Sequence, residues 1–395
     1  MNTPAKASGP INIEPALTAL AAALHGEGPA VELSIGDDGA LVVGHLETPG
    51  CDDAVAVVRT SGSTGTPKAT VLTVESLAAS SMATALALKG EGQWLLALPV
   101  QYVAGIQVLV RSLFAGTRPW VMDMSHGFTP EAFTAAAQEL TDKIRFTSLV
   151  PTQLQRLLDA PSPETLAVLR RFNAVLLGGA PAPASLLTAA REAGVRVITT
   201  YGSAESCGGC VYDGFPLEGV SVRVEEDGRI LLGGDTIAAG YLESPESTDT
   251  FFEEDGVRWY RTSDLGSIDD DGRLTVLGRA DDVIITGGVK VSAAHVQEEL
   301  EKSDAVAAAF VAGVPSTEWG QAVAAYVALA DPAPDPAPGA EAGDTAVVLE
   351  RQWHRTLGAL APKTVLAASE LLMLPNGKPD RLAMTAELKA RHQGK

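Results

Sequence analysis

The chain has 395 residues, 46% of them hydrophobic, 20% charged and 5% aromatic, which excludes a disordered chain and leaves room for two or three globular domains. Its 49 acidic side chains outnumber 29 basic ones, for a formal charge of −20, and that field repels nucleic acid and anionic membrane, whose binding needs clustered Lys and Arg. Three cysteines, Cys51, Cys207 and Cys210, are too few for a disulfide framework and suit a reducing cytoplasm.

Residues 16–24 follow Glu14 without a basic flank or a small-residue cleavage pattern, so they read as an amphipathic first helix rather than a signal peptide. The most apolar stretch, 94–110, contains Pro99, Gln101, Tyr102 and Gln107 and stops at Arg111, which does not suit a lipid span. Short β-branched or apolar runs bounded by Gly or Pro lie at 54–58, 94–98, 118–122, 146–150, 174–177 and 195–199. Ala-rich stretches with helical spacing separate them at 74–89, 130–140 and 152–158. The alternation predicts α/β layers with a largely parallel sheet. From 220 to 277 the pattern changes to short strands with Asp-Gly and Gly-Gly turns, an antiparallel, hairpin-rich subdomain. Residues 279–288 read as a loop and 292–302 as a helix, opening a smaller α/β domain of about a hundred residues. Within it the Pro/Ala-rich run 331–344 reads as an extended, mobile loop.

Five motifs carry chemistry. Thr60-Ser61-Gly62-Ser63-Thr64-Gly65-Thr66-Pro67-Lys68 follows the first strand, and its small residues let backbone N–H groups and hydroxyls approach a polyanion. It is not a Walker A loop, because Pro67 stands where Gly-Lys-Ser/Thr is required, and taken alone it also fits a Ser/Gly linker. Thr200-Tyr201-Gly202-Ser203-Ala204-Glu205 is expected as a loop after the strand at 195–199, and carboxyl ends of strands are where open α/β sheets bind ligands. A carboxylate beside a triphosphate needs a bridging cation, so Glu205 is either a Mg²⁺ ligand or a solvated loop residue. Asp264, in Tyr260-Arg261-Thr262-Ser263-Asp264-Leu265-Gly266, is placed to accept both hydroxyls of a ribose. The segments 277–288 and 374–381 hold Arg279, Asp281, Gly287, Gly288 and Lys378; each alone also reads as a commonplace turn.

Together, in this order and spacing across residues 55–385, the five motifs resemble the acyl-adenylate-forming (AMP-binding) superfamily of acyl-CoA ligases, adenylation domains and luciferases. The resemblance implies a large N-terminal domain of layered sheets and helices with a small antiparallel β subdomain, residues 1–280, and a small mobile C-terminal α+β lid, residues 281–395. It implies that Thr60 to Lys68 hold the β- and γ-phosphates, with Thr64 among the catalytic residues. Gly178-Gly179-Ala180 and Tyr201-Gly202 then sandwich adenine, Glu205 holds Mg²⁺, and Asp264 and Arg279 bind the ribose. Asp281 matches the hinge, Lys378 the lysine on the substrate carboxylate and α-phosphate, and Gly287-Gly288 the loop that replaces Lys378 for thioester formation. The implied substrates are ATP, a small carboxylate and coenzyme A, with no nucleic-acid partner or membrane insertion and with room for a homodimer.

The chemistry accounts for those residue types. Carboxylate attack on the α-phosphorus forces two anions together, and at about 4 Å with an effective dielectric near 20 they repel by roughly 4 kcal/mol. A lysine and a divalent cation offset a term of that size. The attacking carboxylate is already ionised, so no strong base is required, and none of the six histidines lies in a motif.

Two departures refine the reading. Tyr102 stands where relatives commonly carry a histidine, and the segment before the phosphate loop is short, residues 1–49 supplying a remnant of a trimmed subdomain. The compactness and the segment Ala204 to Gly214 resemble short actinobacterial o-succinylbenzoate–CoA ligases of menaquinone biosynthesis. On that resemblance the acyl pocket comprises Tyr102, Arg111, Gly178, Cys207 and Gly208, with Arg111 facing the spectator carboxylate. Cys207 and Cys210 form a C-x-x-C without a second pair, so they read as small wall residues rather than a zinc or redox site. An adenylation domain loading a carrier-protein thiol shares every motif, and a non-catalytic nucleotide-binding protein remains the alternative from another class.

Overall fold

The computed structural model describes residues 9–60, 68–243, 250–330, 342–374 and 379–393, without the side chains of 281, 342–347 and 359. The chain forms two units, one of residues 1–223, 231–262 and 269–274, the other of 224–230, 263–268 and 275–395.

The first unit opens with α1 (Glu14–Leu24), whose Ala16, Leu20 and Ala23 form one buried stripe at helical spacing. Strands β1 (Ala30–Ile35), β2 (Leu41–Leu46), β3 (Ala54–Thr60) and β4 (Lys68–Thr73) lead to α2 (Val74–Leu88). The Thr73 side chain caps α2, accepting from Ser76 N while Ser76 reaches back, and Lys89 ends it in the left-handed region. Next come β5 (Gln93–Leu96), α3 (Val103–Phe114), β6 (Trp120–Val121), α4 (Pro130–Gln138), β7 (Arg145–Leu149), α5 (Pro151–Leu158), α6 (Pro163–Leu169), β8 (Ala174–Leu177), α7 (Ala184–Glu192) and β9 (Val197–Ser203). Prolines at the starts of α4, α5 and α6 preset the helical φ, and Thr129 and Ser162 cap the first turns of α4 and α6. A single turn, Ala204–Ser206, separates β9 from β10 (Gly208–Tyr212); β11 (Phe215–Pro216), β12 (Val220–Val224), β13 (Arg229–Gly234), β14 (Gly240–Tyr241), β15 (Phe251–Glu254), β16 (Val257–Ile268) and β17 (Leu274–Arg279) follow.

Two sheets organise this unit. The larger runs β11-β10-β9-β8-β7-β5-β6 and is parallel from β6 to β9, as the alternation predicts. Helices α4 to α7 bury Phe133, Leu140, Leu154, Leu157 and Leu186 against Leu149 and Leu177, each contributing about 1.5–3 kcal/mol relative to exposure. The other sheet, β14-β4-β3-β1-β2, departs from the parallel expectation: only β1 and β3 run parallel. The connection from β3 to β4 is too short for a crossover helix, so the phosphate-loop segment spans an antiparallel pair in which Thr60 faces Lys68.

Three boundaries also differ from expectation. β9 continues through Tyr201, Gly202 and Ser203, because β10 folds back and pairs Tyr201 with Val211 and Gly202 with Gly209. A Cβ on Gly202 would lie 2.0 Å from the Gly208 carbonyl oxygen, so only glycine allows that approach. The expected loop at 279–288 is a short helical turn followed by a hairpin of β18 (Val283–Thr286) and β19 (Val289–Ser292). Gly287 and Gly288 form its two-residue turn, both at positive φ (55° and 82°).

The second unit continues with α8 (Ala293–Glu301), β20 (Val306–Ser316), β21 (Gly320–Leu329), α9 (Ala342–Leu357), β22 (Thr364–Ala368) and α10 (Arg381–Gln393). Its sheet runs β19-β18-β21-β20 with β22 parallel on β21. Val296, Leu300, Leu349 and Trp353 from α8 and α9 cover one face, and Met384 and Leu388 of α10 the other, which is why β21 is buried along most of its length.

Helix α3 is buried on nearly every side, and its first turn depends on a glycine: a Cβ on Gly105 would meet the Pro99 carbonyl oxygen at 2.3 Å and Val100 Cα at 2.8 Å. Those atoms are backbone and cannot swing away, so Gly105→Ala is expected to destabilise the protein by about 1–3 kcal/mol. Differential scanning calorimetry should show a melting temperature lower by several degrees; an unchanged transition would contradict the close approach.

Candidate active site

The carboxyl ends of β8 and β9 bring the second motif into place. Gly178 follows β8, donates its N–H to the Leu149 carbonyl (3.1 Å), and would put a Cβ 2.3 Å from Thr200 Oγ1. Gly179 takes φ +83°, a conformation that costs a side-chain-bearing residue strain. Gly178, Tyr201 and Gly202 are therefore assembled across neighbouring strands, as the sequence expects.

Glu205 is not a solvated loop residue. It lies in the turn after β9 and is only 7% exposed. The Tyr241 hydroxyl donates to its Oε1 at 2.8 Å. The segment carrying Tyr241 is itself strapped along β4: Ala239 N donates to Val71 O (3.0 Å), Leu242 N to Ala69 O (2.8 Å), and Ala238 N to the carbonyl of Glu205 (2.9 Å). Arg258 holds the strap from behind, donating from Nε to Ala238 O at 2.8 Å and from Nη2 to Ala239 O. Burial pulls its pKa down from the usual arginine value.

Lys68, the last residue of the first motif, stands at the start of β4 with its Nζ 4.8 Å from the Tyr241 ring centroid. The Tyr241 ring also meets Phe251 edge-on, with centroids 5.2 Å apart. Burial and the neighbouring Glu205 carboxylate push the Tyr241 pKa far above the ordinary phenol value, so its hydroxyl stays a donor. Lys68, Tyr241 and Glu205 thus form a line from the exposed start of β4 to a buried acid. A single carboxylate with one oxygen engaged suits Mg²⁺, which takes one or two carboxylates and completes its shell with water and phosphate oxygens. Among the described residues no group of three His, Cys, Asp or Glu could hold a metal unaided. The Ser203 hydroxyl, two residues before Glu205, is buried without a partner among the described residues, as a donor kept for a ligand would be.

Ser61, Gly62, Ser63, Thr64, Gly65 and Lys378 lie outside the described residues, as does the side chain of Asp281. In the second unit Arg279 Nη1 is 3.9 Å from Asp264 Oδ1, so the expected ribose pair stands together. Asp282, next to Asp281, pairs with Arg381 at the start of α10.

Around the expected acyl pocket, Tyr102 immediately precedes α3 without a side-chain cap, and a Cβ on Gly208 would lie 3.4 Å from Gln107 Cγ. Cys207 turns the chain in the left-handed region (φ 52°), and its carbonyl accepts from Gln107 Nε2 (2.6 Å) and Ser80 Oγ (3.1 Å). Arg111, buried one turn beyond Gln107 on α3, lies near enough to Cys207 for its charge to act on that thiol. Its guanidinium sits 5.3 Å from the Trp94 ring centroid in β5, beside a cavity of about 20 Å³ lined by Ser81 and Thr84, room for about one water.

Sequence reasoning missed Tyr241, Arg258 and Gln107. Tyr241 follows a glycine with no local pattern, and its partner is 36 residues away. Gln107 left a signal, a lone amide inside the apolar run 106–110.

Residues 29–242 match the AMP-binding enzyme family and residues 295–378 the AMP-binding enzyme C-terminal domain. A probable 2-succinylbenzoate--CoA ligase of Mycobacterium tuberculosis (strain CDC 1551 / Oshkosh) is 42% identical over 336 residues, 84% of each chain. Solved structures of the Bacillus subtilis o-succinylbenzoate CoA synthetase (MenE) superpose well. The complex with the acyl-adenylate intermediate OSB-AMP gives a TM-score of 0.69 at 26% identity, covering 87% of this chain and 70% of that one. The complex with ATP and magnesium ion gives 0.68 at 27% identity, covering 85% and 70%. No helix among the described residues is long and apolar enough to cross a membrane.

Burial pushes the thiols of Cys207 and Cys210 up to about 12, and that of Cys51 to about 11 with Asp53 beside it. A buried thiol held so far above neutral pH is a poor nucleophile. Ellman's reagent at pH 8 is expected to leave Cys207 and Cys210 unmodified in the folded protein and to find all three thiols in guanidinium. Rapid native labelling of either would contradict the assignment as packed wall residues.

Proposed function

The chain belongs to the AMP-binding enzyme family, and from that premise we propose that it is an AMP-forming acid–thiol ligase that converts o-succinylbenzoate to its coenzyme A thioester through an acyl-adenylate. The observation that carries the reading is the Lys68–Tyr241–Glu205 line. It aims a cation and a buried carboxylate at the ends of the strands that flank the phosphate loop. The substrate choice rests on the 2-succinylbenzoate–CoA ligase relative and on the B. subtilis enzyme bound to OSB-AMP. ATP and coenzyme A are the co-substrates, in the cytoplasm.

In the first half-reaction a substrate carboxylate oxygen bonds to the α-phosphorus of ATP while the bond to the bridging oxygen of pyrophosphate breaks. Thr60 and the loop at 61–67 offer N–H and hydroxyl donors to the β- and γ-phosphates, and Lys68 adds a positive charge at the loop's far end. Because that segment leads into strand β4, no helix begins at its end as in a Walker A loop, and Lys68 adds to the field of its own donors. Glu205 holds Mg²⁺, which when bound neutralises the phosphate oxygens. Gly178, Gly179, Ala180, Tyr201 and Gly202 form the narrow adenine slot, Asp264 and Arg279 take the ribose, and Lys378 holds the carboxylate and α-phosphate. Tyr102, Gly178, Cys207 and Gly208 wall the acyl pocket, with Arg111 for the spectator carboxylate. In the second half-reaction the thiol sulfur attacks the acyl carbon and AMP leaves. Residues 1–280 then act as the adenylation domain and 281–395 as the lid, with Asp281 as hinge and Gly287 and Gly288 on the segment presented for the thiol step.

AMP release is expected with o-succinylbenzoate, ATP, Mg²⁺ and coenzyme A, and not with benzoate or medium-chain fatty acids. Turnover with another acid alone would keep the reaction class and discard the substrate. AMP formation with none of them, carrier protein included, would favour a nucleotide-binding protein without catalysis. Lys378→Ala is expected to abolish adenylation yet spare thioester formation from supplied acyl-adenylate, followed by rapid-quench assay of each half-reaction. Equal loss of both would refute that division of labour.

A further inference from the structure

Tyr241 takes no chemical step in the reaction derived above, yet its backbone, ring and hydroxyl are each held by a different partner. Its backbone is fixed where β14 pairs with Thr70 of β4, its ring by Phe251, and its hydroxyl by Glu205. The same strap holds the Glu205 main chain through Ala238 N. No ion pair between Glu205 and a Lys, Arg or His occurs among the described residues, so this buried carboxylate relies on neutral donors.

We infer that Tyr241 is the positioning residue of the metal-binding carboxylate: its hydroxyl occupies Oε1 and leaves Oε2 for the cation, while its ring seats Lys68 beside the same spot. The inference rests on Glu205 as the Mg²⁺ ligand. A carboxylate has about four lone-pair directions on two oxygens and turns freely about its last bond unless one oxygen is engaged. Hydrogen bonds to a charged group are worth about 1.5–3 kcal/mol, enough to select one orientation. Lys68 and the cation are both positive and would drift apart if each were held separately; one tyrosine, gripping the acid with its edge and the ammonium with its face, holds both in register. Tyr241 touches no reacting atom, so its removal loosens the site without deleting a catalytic group.

Tyr241→Phe keeps the ring, the Phe251 contact and the Lys68 seat while deleting the hydroxyl. Mn²⁺ stands in for Mg²⁺, and its binding to the full-length protein with α,β-methylene-ATP, which cannot react, is followed by electron paramagnetic resonance. The Mn²⁺ Kd is expected to rise about tenfold, or about 1.4 kcal/mol, beside a melting temperature a few degrees lower because the buried carboxylate loses a donor. Tyr241→Leu, which also removes the Lys68 seat, is expected to weaken metal-free binding of the analogue as well, which Tyr241→Phe leaves alone. A wild-type Mn²⁺ Kd in Tyr241→Phe, while Glu205→Gln raises it, would overturn the inference and leave Glu205 as the ligand. If Glu205→Gln also binds Mn²⁺ like the wild type, the metal reading itself fails and takes the positioning role with it. A Tyr241→Phe protein that melts several degrees lower with unaltered Mn²⁺ binding would reduce the tyrosine to packing.

Discussion

A carboxylate closed off from water must be given donors or a cation, and much of the first unit is arranged to meet that requirement at Glu205. The strap from Ala238 to Leu242 ties the acid to β4, Arg258 pins the strap by two carbonyls, and Tyr241 closes the ring. On the other side the turn at Cys207 is held by Gln107 and Ser80, so the residues flanking Glu205 are fixed from both directions. Remove the need to house that charge, and the buried Gln107 in an apolar helix and the arginine behind the strap have no shared purpose.

The second constraint is steric. Ligands of open α/β sheets settle beyond the carboxyl ends of the strands, which must bend apart without losing their partners. Here β8 ends in glycines, and β9 runs on as a hairpin because Gly202 lets β10 approach its backbone. The floor of the proposed adenine slot is therefore sheet rather than loop, stiffer than a free turn, with Tyr201 and Gly202 already paired to β10. A slot of that kind loses little conformational entropy when it fills.

The sequence shows the alternation, the chemistry-bearing motifs and the helices at 74–88 and 130–138 because those signals are local. Helical spacing, proline at the first turn and Gly-Gly all act within a few residues. It misleads where a distant partner decides. Residues 200–203 look like a loop until β10 pairs with them, and the first sheet looks parallel until the short passage from Thr60 to Lys68 forces β3 and β4 antiparallel. The hairpin at 283–292 was legible, since Val-Ile-Ile-Thr and Val-Lys-Val-Ser flank a two-residue Gly-Gly turn; the acidic pair before it drew the reading toward a loop. Arg111 is fixed by contacts its motif position does not show: it packs on Trp94 while its charge still reaches Cys207. Tyr241 left no trace, because its role is a contact made across the fold.

The strap has one more effect, on how copies of the chain meet. A sheet edge with free N–H and C=O groups invites another strand, and short terminal strands are a common defence. In the two sheets of the first unit, three of the four edges are the two-residue strands β14, β6 and β11. Tyr241, on β14, thus also shields the long backbone of β4 from a neighbour. Among the described residues only β2 presents a six-residue edge in these two sheets, with Val42 48% exposed, and edge-to-edge growth would start there.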